Sequence, residues 1–169
     1  MTFHHLGVAC ENIEAEVERF QALGYRREGE TFRDPGQKIE GAFLIGPGPR
    51  LELLAPMQPS SPVTPWLENG VKYYHQAFEV PSLTRAITGM LARRGVLVGP
   101  PISSVAFDGR PVAFVMLPGM ILIELIQSAE LGREGRGRKA PAARKRKSIR
   151  TKTINRDQSR RSGRSPAPK

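Results

Sequence analysis

Cysteine is almost missing from this chain: among 169 residues there is only Cys10. A single thiol excludes an intramolecular disulfide and gives no ground for a secreted, disulfide-stapled fold. Cys10 stands in an apolar run near the N-terminus, which reads as a small buried hydrophobe rather than a nucleophile. Histidine is nearly as scarce, with His4, His5 and His75 the only three. No apolar run approaches the roughly 18–20 residues of a membrane span. The nearest, residues 112–126, is broken by Pro118, Gly119 and Glu124. No charged-then-apolar leader is visible, so the expectation is a soluble cytoplasmic protein without a membrane span. Nor is there a convincing Gly-rich dinucleotide fingerprint or P-loop, so no nicotinamide, flavin or nucleotide chemistry is indicated.

Acidic residues are missing from one region in particular. Residues 131–169 hold 15 Lys and Arg against two acids, whereas residues 1–130 hold 11 against 14. The overall formal charge of +10 is therefore a property of the tail, and it does not make the whole protein a nucleic-acid binder. The tail also lacks large apolar residues beyond Leu131, Ile149 and Ile154. It cannot bury enough surface to offset chain entropy, which predicts a disordered basic tail over 131–169. The run Arg144-Lys145-Arg146-Lys147 would attract polyanions or nucleic acid without sequence selectivity. Gly135-Arg136-Gly137-Arg138-Lys139 is a faint match to the Arg-Gly-Arg core that enters narrow minor grooves.

What the remaining 130 residues do have is a repeat. A strand-like run over 2–9 precedes a helix capped by Asn12, patterned on Ile13, Val17, Phe20 and Leu23 and stopped by Gly24. Strand-like runs follow over 25–33, 38–45 and 50–55, separated by Asp34-Pro35-Gly36 and by Gly46-Pro47-Gly48-Pro49. Residues 57–70 read as a linker with one helical turn near 65–69. The order then restarts: a strand over 72–80, a helix capped by Ser82 and ended by Gly95, and strands over 96–98, 105–117 (with an Asp108-Gly109 turn inside it) and 121–126. Phe3-His4-His5 stands 70 positions before Tyr73-Tyr74-His75, Gly24 stands 71 before Gly95, and Leu51-Glu52-Leu53 stands 72 before Ile123-Glu124-Leu125. Two βαβββ modules are thus expected, 2–56 and 71–128, packed as one α+β domain over 1–130, because neither could bury its apolar face alone.

Each module carries one His on its first strand and one Glu inside its last, apolar strand. A single strand Glu is usually on a solvated face. Two His and two Glu repeating in register instead point to one shared site, in which buried charge is compensated. Imidazole nitrogens and carboxylate oxygens suit a divalent transition ion, so His5, Glu52, His75 and Glu124 are the candidate metal ligands. Strand alternation sends His4 to the opposite face from His5.

His5-Leu6-Gly7-Val8-Ala9, with a helix ending Leu23-Gly24-Tyr25, resembles the opening of the vicinal oxygen chelate proteins, the superfamily of glyoxalase I and methylmalonyl-CoA epimerase. Ser61-Pro62, Trp66-Leu67, Gly70 and His75-Gln76-Ala77-Phe78-Glu79-Val80 are similar to the epimerase pattern leading to its second metal His. Gly109-Arg110-Pro111-Val112-Ala113-Phe114 and Leu122-Ile123-Glu124-Leu125 are similar to its closing strands. The resemblance spans about residues 3–127 and implies an incomplete barrel around a divalent Co, Ni, Zn or Mn ion on the same four ligands. Glu52 leans toward glyoxalase I, since the epimerase can carry Gln there. The resemblance also implies an acid/base carboxylate on the third strand, for which Glu40 is the nearest candidate. Relatives pair modules within or between chains, so it allows a homodimer.

The chemistry so implied is redox-neutral. A metal-bound carbonyl is polarised, a neighbouring C–H is deprotonated, and a carboxylate (Glu124, Glu52 or Glu40) moves the proton. The first reading is an isomerase or epimerase of an acyl-CoA. The alternatives are a glyoxalase I-type lyase acting on a glutathione hemithioacetal, or a non-catalytic small-molecule-binding protein on the same cup. A ring-cleaving dioxygenase of the superfamily would use two His and one carboxylate, and Glu52 argues against it.

Overall fold

The computed structural model describes residues 1–129, and the expectations for the basic tail over 131–169 lie outside the described residues. The first module runs β1 (Thr2–Ala9), α1 (Ile13–Gln21), β2 (Arg26–Asp34), β3 (Ile39–Ile45) and β4 (Leu51–Pro56). A short helix, α2 (Thr64–Glu68), lies in the connection. The second runs β5 (Tyr73–Val80), α3 (Leu83–Leu91), β6 (Val96–Leu97), β7 (Ile102–Ser103), a 3-10 turn (Val105–Phe107), β8 (Pro111–Leu117) and β9 (Ile121–Gln127). The strands form a single open sheet in the order β2-β3-β4-β1-β5-β9-β8-β6, with β7 on β8. β1 and β5 run antiparallel at its centre, while β4 and β9 flank them in parallel, one from each module. The fold is α+β, with the two modules that the repeat predicts in the incomplete barrel that the resemblance implies, and the second module has one short strand, β7, beyond the expected βαβββ.

Two-residue periodicity decides the sheet's two faces. On β4, Leu51, Leu53 and Ala55 point toward α1 and pack with Val8, Cys10, Ile13, Val17, Ala42 and Leu44. On β9, Ile123 and Leu125 pack with Leu83, Val80, Ala113 and Val115 under α3. The alternate residues of the same strands, Glu52 and Glu124, are thereby turned to the concave face. Both helices begin as their sequences require: Asn12 Oδ1 accepts from Ala15 N–H at 2.9 Å, and Ser82 Oγ from Arg85 N–H at 3.4 Å. Such caps contribute about 1 kcal/mol each.

Three local expectations give way. The run expected as a strand over 105–117 has its Asp108-Gly109 turn where expected, at φ 54° and 79°, but residues 105–107 ahead of it form a 3-10 turn, so the strand begins only at Pro111. Gly24 and Gly95 are not equivalent either. Gly24 (φ 86°) occupies the left-handed position after α1, but after α3 that position is taken by Arg94 (φ 65°). Gly95 is required by space instead: a Cβ there would meet the Met90 carbonyl oxygen and Val115, each at 2.9 Å. The third concerns His4. The β1–β5 ladder slips between Phe3 and His5 and again between Gly7 and Val8, so His4 on β1 and Tyr74 on β5 are each an extra residue in their strand. These paired bulges defeat simple alternation. They turn His4 to the same side as His5 and Tyr74 to the same side as His75.

Candidate metal centre

Strand register assembles the site with an approximate two-fold symmetry. His5 lies opposite Ala77, and His75 opposite Gly7, so each ring is accommodated by a small residue of the other module. Gly7 must be small, since a Cβ there would fall 2.5 Å from Cε1 of His75. Glu52 is paired with Phe43 and Glu124 with Phe114 across the β3–β4 and β8–β9 ladders. Every ligand candidate therefore sits on a central strand, held by neighbours on both sides.

The four side chains converge. His5 Nε2 lies 2.9 Å from His75 Nε2, 3.0 Å from Glu52 Oε2 and 3.4 Å from Glu124 Oε2. His75 Nε2 lies 3.4 Å from Glu52 Oε2 and 3.5 Å from Glu124 Oε2. One ligand atom from each residue falls within 4.8 Å of all the others, and all four residues are buried. Burial alone would not collect two carboxylates and two imidazoles, because each carboxylate costs several kcal/mol to desolvate unless compensated. Among the described residues Glu124 Oε2 has no hydrogen-bond partner although it is fully buried. An unsatisfied carboxylate oxygen beside a second carboxylate and two imidazole nitrogens is a donor set that a divalent cation fits, with two nitrogens and two oxygens.

Electrostatics agree with that fit. Burial, reinforced by the neighbouring Glu52, raises the Glu124 carboxyl well above the ordinary range. Burial works in the same direction on Glu52, but the His5 and His75 imidazoles outweigh it and hold Glu52 below the ordinary range. Burial lowers His75, with Glu52 opposing, which keeps its ring neutral and its lone pair available for coordination.

Aromatic rings wall the cluster. His5 packs against Phe43 and Phe107 at centroid distances of 5.6 and 5.9 Å, and His75 against Tyr74 and Phe114 at 5.1 and 5.7 Å. A small inner void of about 10 Å³ is lined by Glu52, His75, Glu124 and Ser104 among others. It shares Gln37, Pro62, Tyr74 and Phe114 with an outer cavity of about 320 Å³. Loops form the mouth of that cavity: Gly36–Lys38 before β3, Ser60 and Pro62 of the connection, and Val98–Pro100 after β6. Ser104 Oγ is buried beside the inner void, without a partner among the described residues.

Glu40 does not join this group. It shares a face of β3 with Ala42, as strand alternation requires, but that is the α1 face, and its nearest cation is Arg33 at 4.0 Å. The positions of β3 that face the cup are Ile39, Gly41 and Phe43, none of them acidic. Above Gly41 the Phe32 ring comes so close that a Cβ would fall 2.3 Å from its Cζ. Sequence reasoning also missed Phe43 and Phe114. Their signal is the repeat itself, since they precede Glu52 and Glu124 by nine and ten residues. His4 was misassigned for the reason given above: its Nδ1 lies 2.8 Å from Nδ1 of His5. Burial, with His5 and Arg50 nearby, lowers His4 to about 4, so its ring is neutral.

Comparison with known proteins fits this architecture. No curated protein sequence matches the chain. Among solved structures, methylmalonyl-CoA epimerase from Mycobacterium tuberculosis superposes with a TM-score of 0.65 at 23% identity, covering 78% of this chain and 91% of that one. A Streptomyces coelicolor methylmalonyl-CoA epimerase variant in complex with 2-nitronate-propionyl-CoA gives 0.64 at 25% identity, covering 76% and 98%. A hypothetical protein from Bacillus halodurans C-125 gives 0.65 at 23%, covering 75% and 94%. Residues 4–114 match the profile of the Glyoxalase/Bleomycin resistance protein/Dioxygenase superfamily. With two β-α-β-based modules sharing one sheet and two His and two Glu meeting at its centre, the chain belongs to that superfamily, the vicinal oxygen chelate proteins.

Proposed function

We propose that this protein is a metal-dependent isomerase or epimerase that moves a proton on the carbon next to a carbonyl of an acyl thioester. The observation that carries the reading is the buried His5, Glu52, His75 and Glu124 cluster at the floor of a largely apolar cup. A divalent ion bound there would polarise the substrate carbonyl and stabilise the enolate that deprotonation leaves. The side chains supply the rest. Phe43, Phe107, Phe114 and Tyr74 surround the ligands and exclude water, which strengthens every charge interaction at the floor. Glu124, whose Oε2 has no hydrogen-bond partner among the described residues and whose carboxyl is raised by burial, is the group we assign to accept and return the proton. Glu52 is the second carboxylate of the same cluster. The outer cavity, with Lys38 and Gln37 at its mouth, would receive the thiol carrier. Solved neighbours support the substrate class: one methylmalonyl-CoA epimerase is bound to methylmalonyl-CoA and another to 2-nitronate-propionyl-CoA.

One observation favours a second reading, a glyoxalase I-type lyase. The cup-facing positions of β3 carry no carboxylate, so proton movement falls to Glu52 and Glu124 themselves. Solvent-deuterium incorporation separates the two. Metal-loaded protein is incubated in deuterated water with methylmalonyl-CoA, and in parallel with the glutathione hemithioacetal of methylglyoxal. Exchange at the α-carbon of the thioester supports the epimerase, and turnover of the hemithioacetal alone supports the lyase. Failure of both would contradict the enzymatic reading and leave a small-molecule-binding protein.

A further inference from the structure

We infer that His4 is a positioning residue for the metal centre, fixing His5 in the tautomer that presents Nε2 to the cation. The inference rests on the metal reading above and deepens it. Of the two ligand imidazoles only one has an outer partner. Among the described residues His75 Nδ1 is buried with no hydrogen-bond partner, whereas His5 Nδ1 meets His4 Nδ1 at 2.8 Å. Two ring nitrogens at that distance must share one proton, one nitrogen carrying it and the other offering a lone pair. His5 Nε2 faces His75, Glu52 and Glu124, so it coordinates only if it carries no proton. A neutral His5 then has its proton on Nδ1 and donates it to His4. His4 is therefore the acceptor, and its own proton sits on Nε2.

The surroundings hold His4 for this task. The bulge at His4 in β1 turns it to the side of His5. Phe107 packs edge-on against its ring at a centroid distance of 5.4 Å. Arg50 Nη1 lies 3.4 Å from His4 Nδ1 and 3.2 Å from Nε2. An in-plane position so nearly equidistant would collide with Cε1, so the guanidinium nitrogen sits over the ring face and leaves the Nδ1 lone pair to His5. Arg50 is itself anchored, its Nε donating to Glu28 and its guanidinium lying 3.9 Å from the centroid of the Phe43 ring. Outer partners of this kind orient a ligand imidazole and raise its basicity, and their loss typically weakens metal binding roughly 10–100-fold.

The test uses the full chain and Zn²⁺ as the probe, with affinity measured by competition against a chromogenic chelator. His4→Phe keeps a ring beside Phe107 but removes the acceptor, and it is expected to bind Zn²⁺ roughly 10–100-fold more weakly. His4→Asn places Oδ1 where Nδ1 stood and is expected to restore affinity to within about threefold of the parent. Independently, long-range ¹H–¹⁵N spectra of the Zn²⁺-loaded parent should show His5 protonated on Nδ1, a reading that holds even if His4→Phe fails to fold. Equal affinity in His4→Phe and the parent, or failure of His4→Asn to restore binding, would each overturn the inference while leaving the metal centre intact; a proton on His5 Nε2 in the loaded parent would overturn the inference and remove His5 from the ligands as well. No Zn²⁺ binding by the parent would overturn both.

Discussion

The imidazole of His75 rests against Gly7 of the opposite module, with Cε1, Nδ1 and Nε2 all within 2.7 Å of where a Cβ would stand. On the other side of the pseudo-two-fold, His5 faces Ala77, which does carry a methyl group. The two halves have therefore diverged at the residue under each ligand, and the His75 ring occupies the space that a side chain at residue 7 would need.

Gly7→Ala should displace His75. Overpacking of this type costs about 1–3 kcal/mol, and catalytic or ligand geometry tolerates only about 0.5 Å of error. Zn²⁺ affinity is expected to fall at least about tenfold, while Ala77→Gly, the mirror change, leaves His5 in place and affects affinity less. Parallel Zn²⁺ titrations check this. Equal losses in the two variants would mean that the ring is not held by this contact.

Glu124→Gln should separate folding from metal binding. In the metal-free chain Glu124 is a buried carboxyl beside Glu52, which disfavours its ionised form. Removing the charge is therefore expected to leave the metal-free Tm unchanged or higher. The parent should gain stability on loading, about 2.7 kcal/mol at a metal concentration one hundred times Kd. The variant should lose most of that gain. Thermal melts with chelator and with excess Zn²⁺ measure both, and a metal-dependent rise in Glu124→Gln equal to that of the parent would remove Glu124 from the ligand set.

Glu40→Gln should be nearly silent. Its carboxylate lies on the α1 face with Arg33 at 4.0 Å, away from the cup. Surface changes of this kind stay within about 0.5 kcal/mol, so metal affinity and turnover are expected to change less than about twofold. A large loss of turnover at unchanged stability would return Glu40 to the mechanism.

Cys10 should be chemically inert in the folded protein. Burial, with Glu16 nearby, pushes its thiol up to about 12. An unfolded thiol ionises near 8.5. Its contribution to stability is thus complete below that value, and it is lost as pH rises toward 12 because only the unfolded chain then releases the proton. At pH 8 a disulfide reagent should react at least roughly 100-fold more slowly with native protein than in guanidinium. Rapid native reaction would contradict the burial of Cys10 under α1.

Much of this was readable from residues alone, and the reason is duplication. A two-residue period turned Glu52 and Glu124 away from the leucines beside them, and a 70-residue offset carried His5 onto His75. Where the sequence misled, a local irregularity or a three-dimensional contact decided. The bulge at His4 adds one residue to β1 and reverses the side inferred from alternation. Glu40 was assigned to the right strand, but nothing in its own neighbourhood says that α1 covers the face it shares with Ala42. Arg94 occupies a left-handed position that composition would give to glycine, because Gly95 is needed where Met90 and Val115 crowd the backbone.

The most direct test of the central claim is the metal content of the purified full-length protein, loaded with Co²⁺, Ni²⁺, Zn²⁺ or Mn²⁺ and freed of loosely bound ion, with His75→Ala as the control. The account predicts about one divalent ion per chain for the parent and a strongly reduced content for His75→Ala, with both proteins folded by circular dichroism. Parent and variant that both lack stoichiometric metal, or that bind it equally, would contradict a centre built on His5, Glu52, His75 and Glu124.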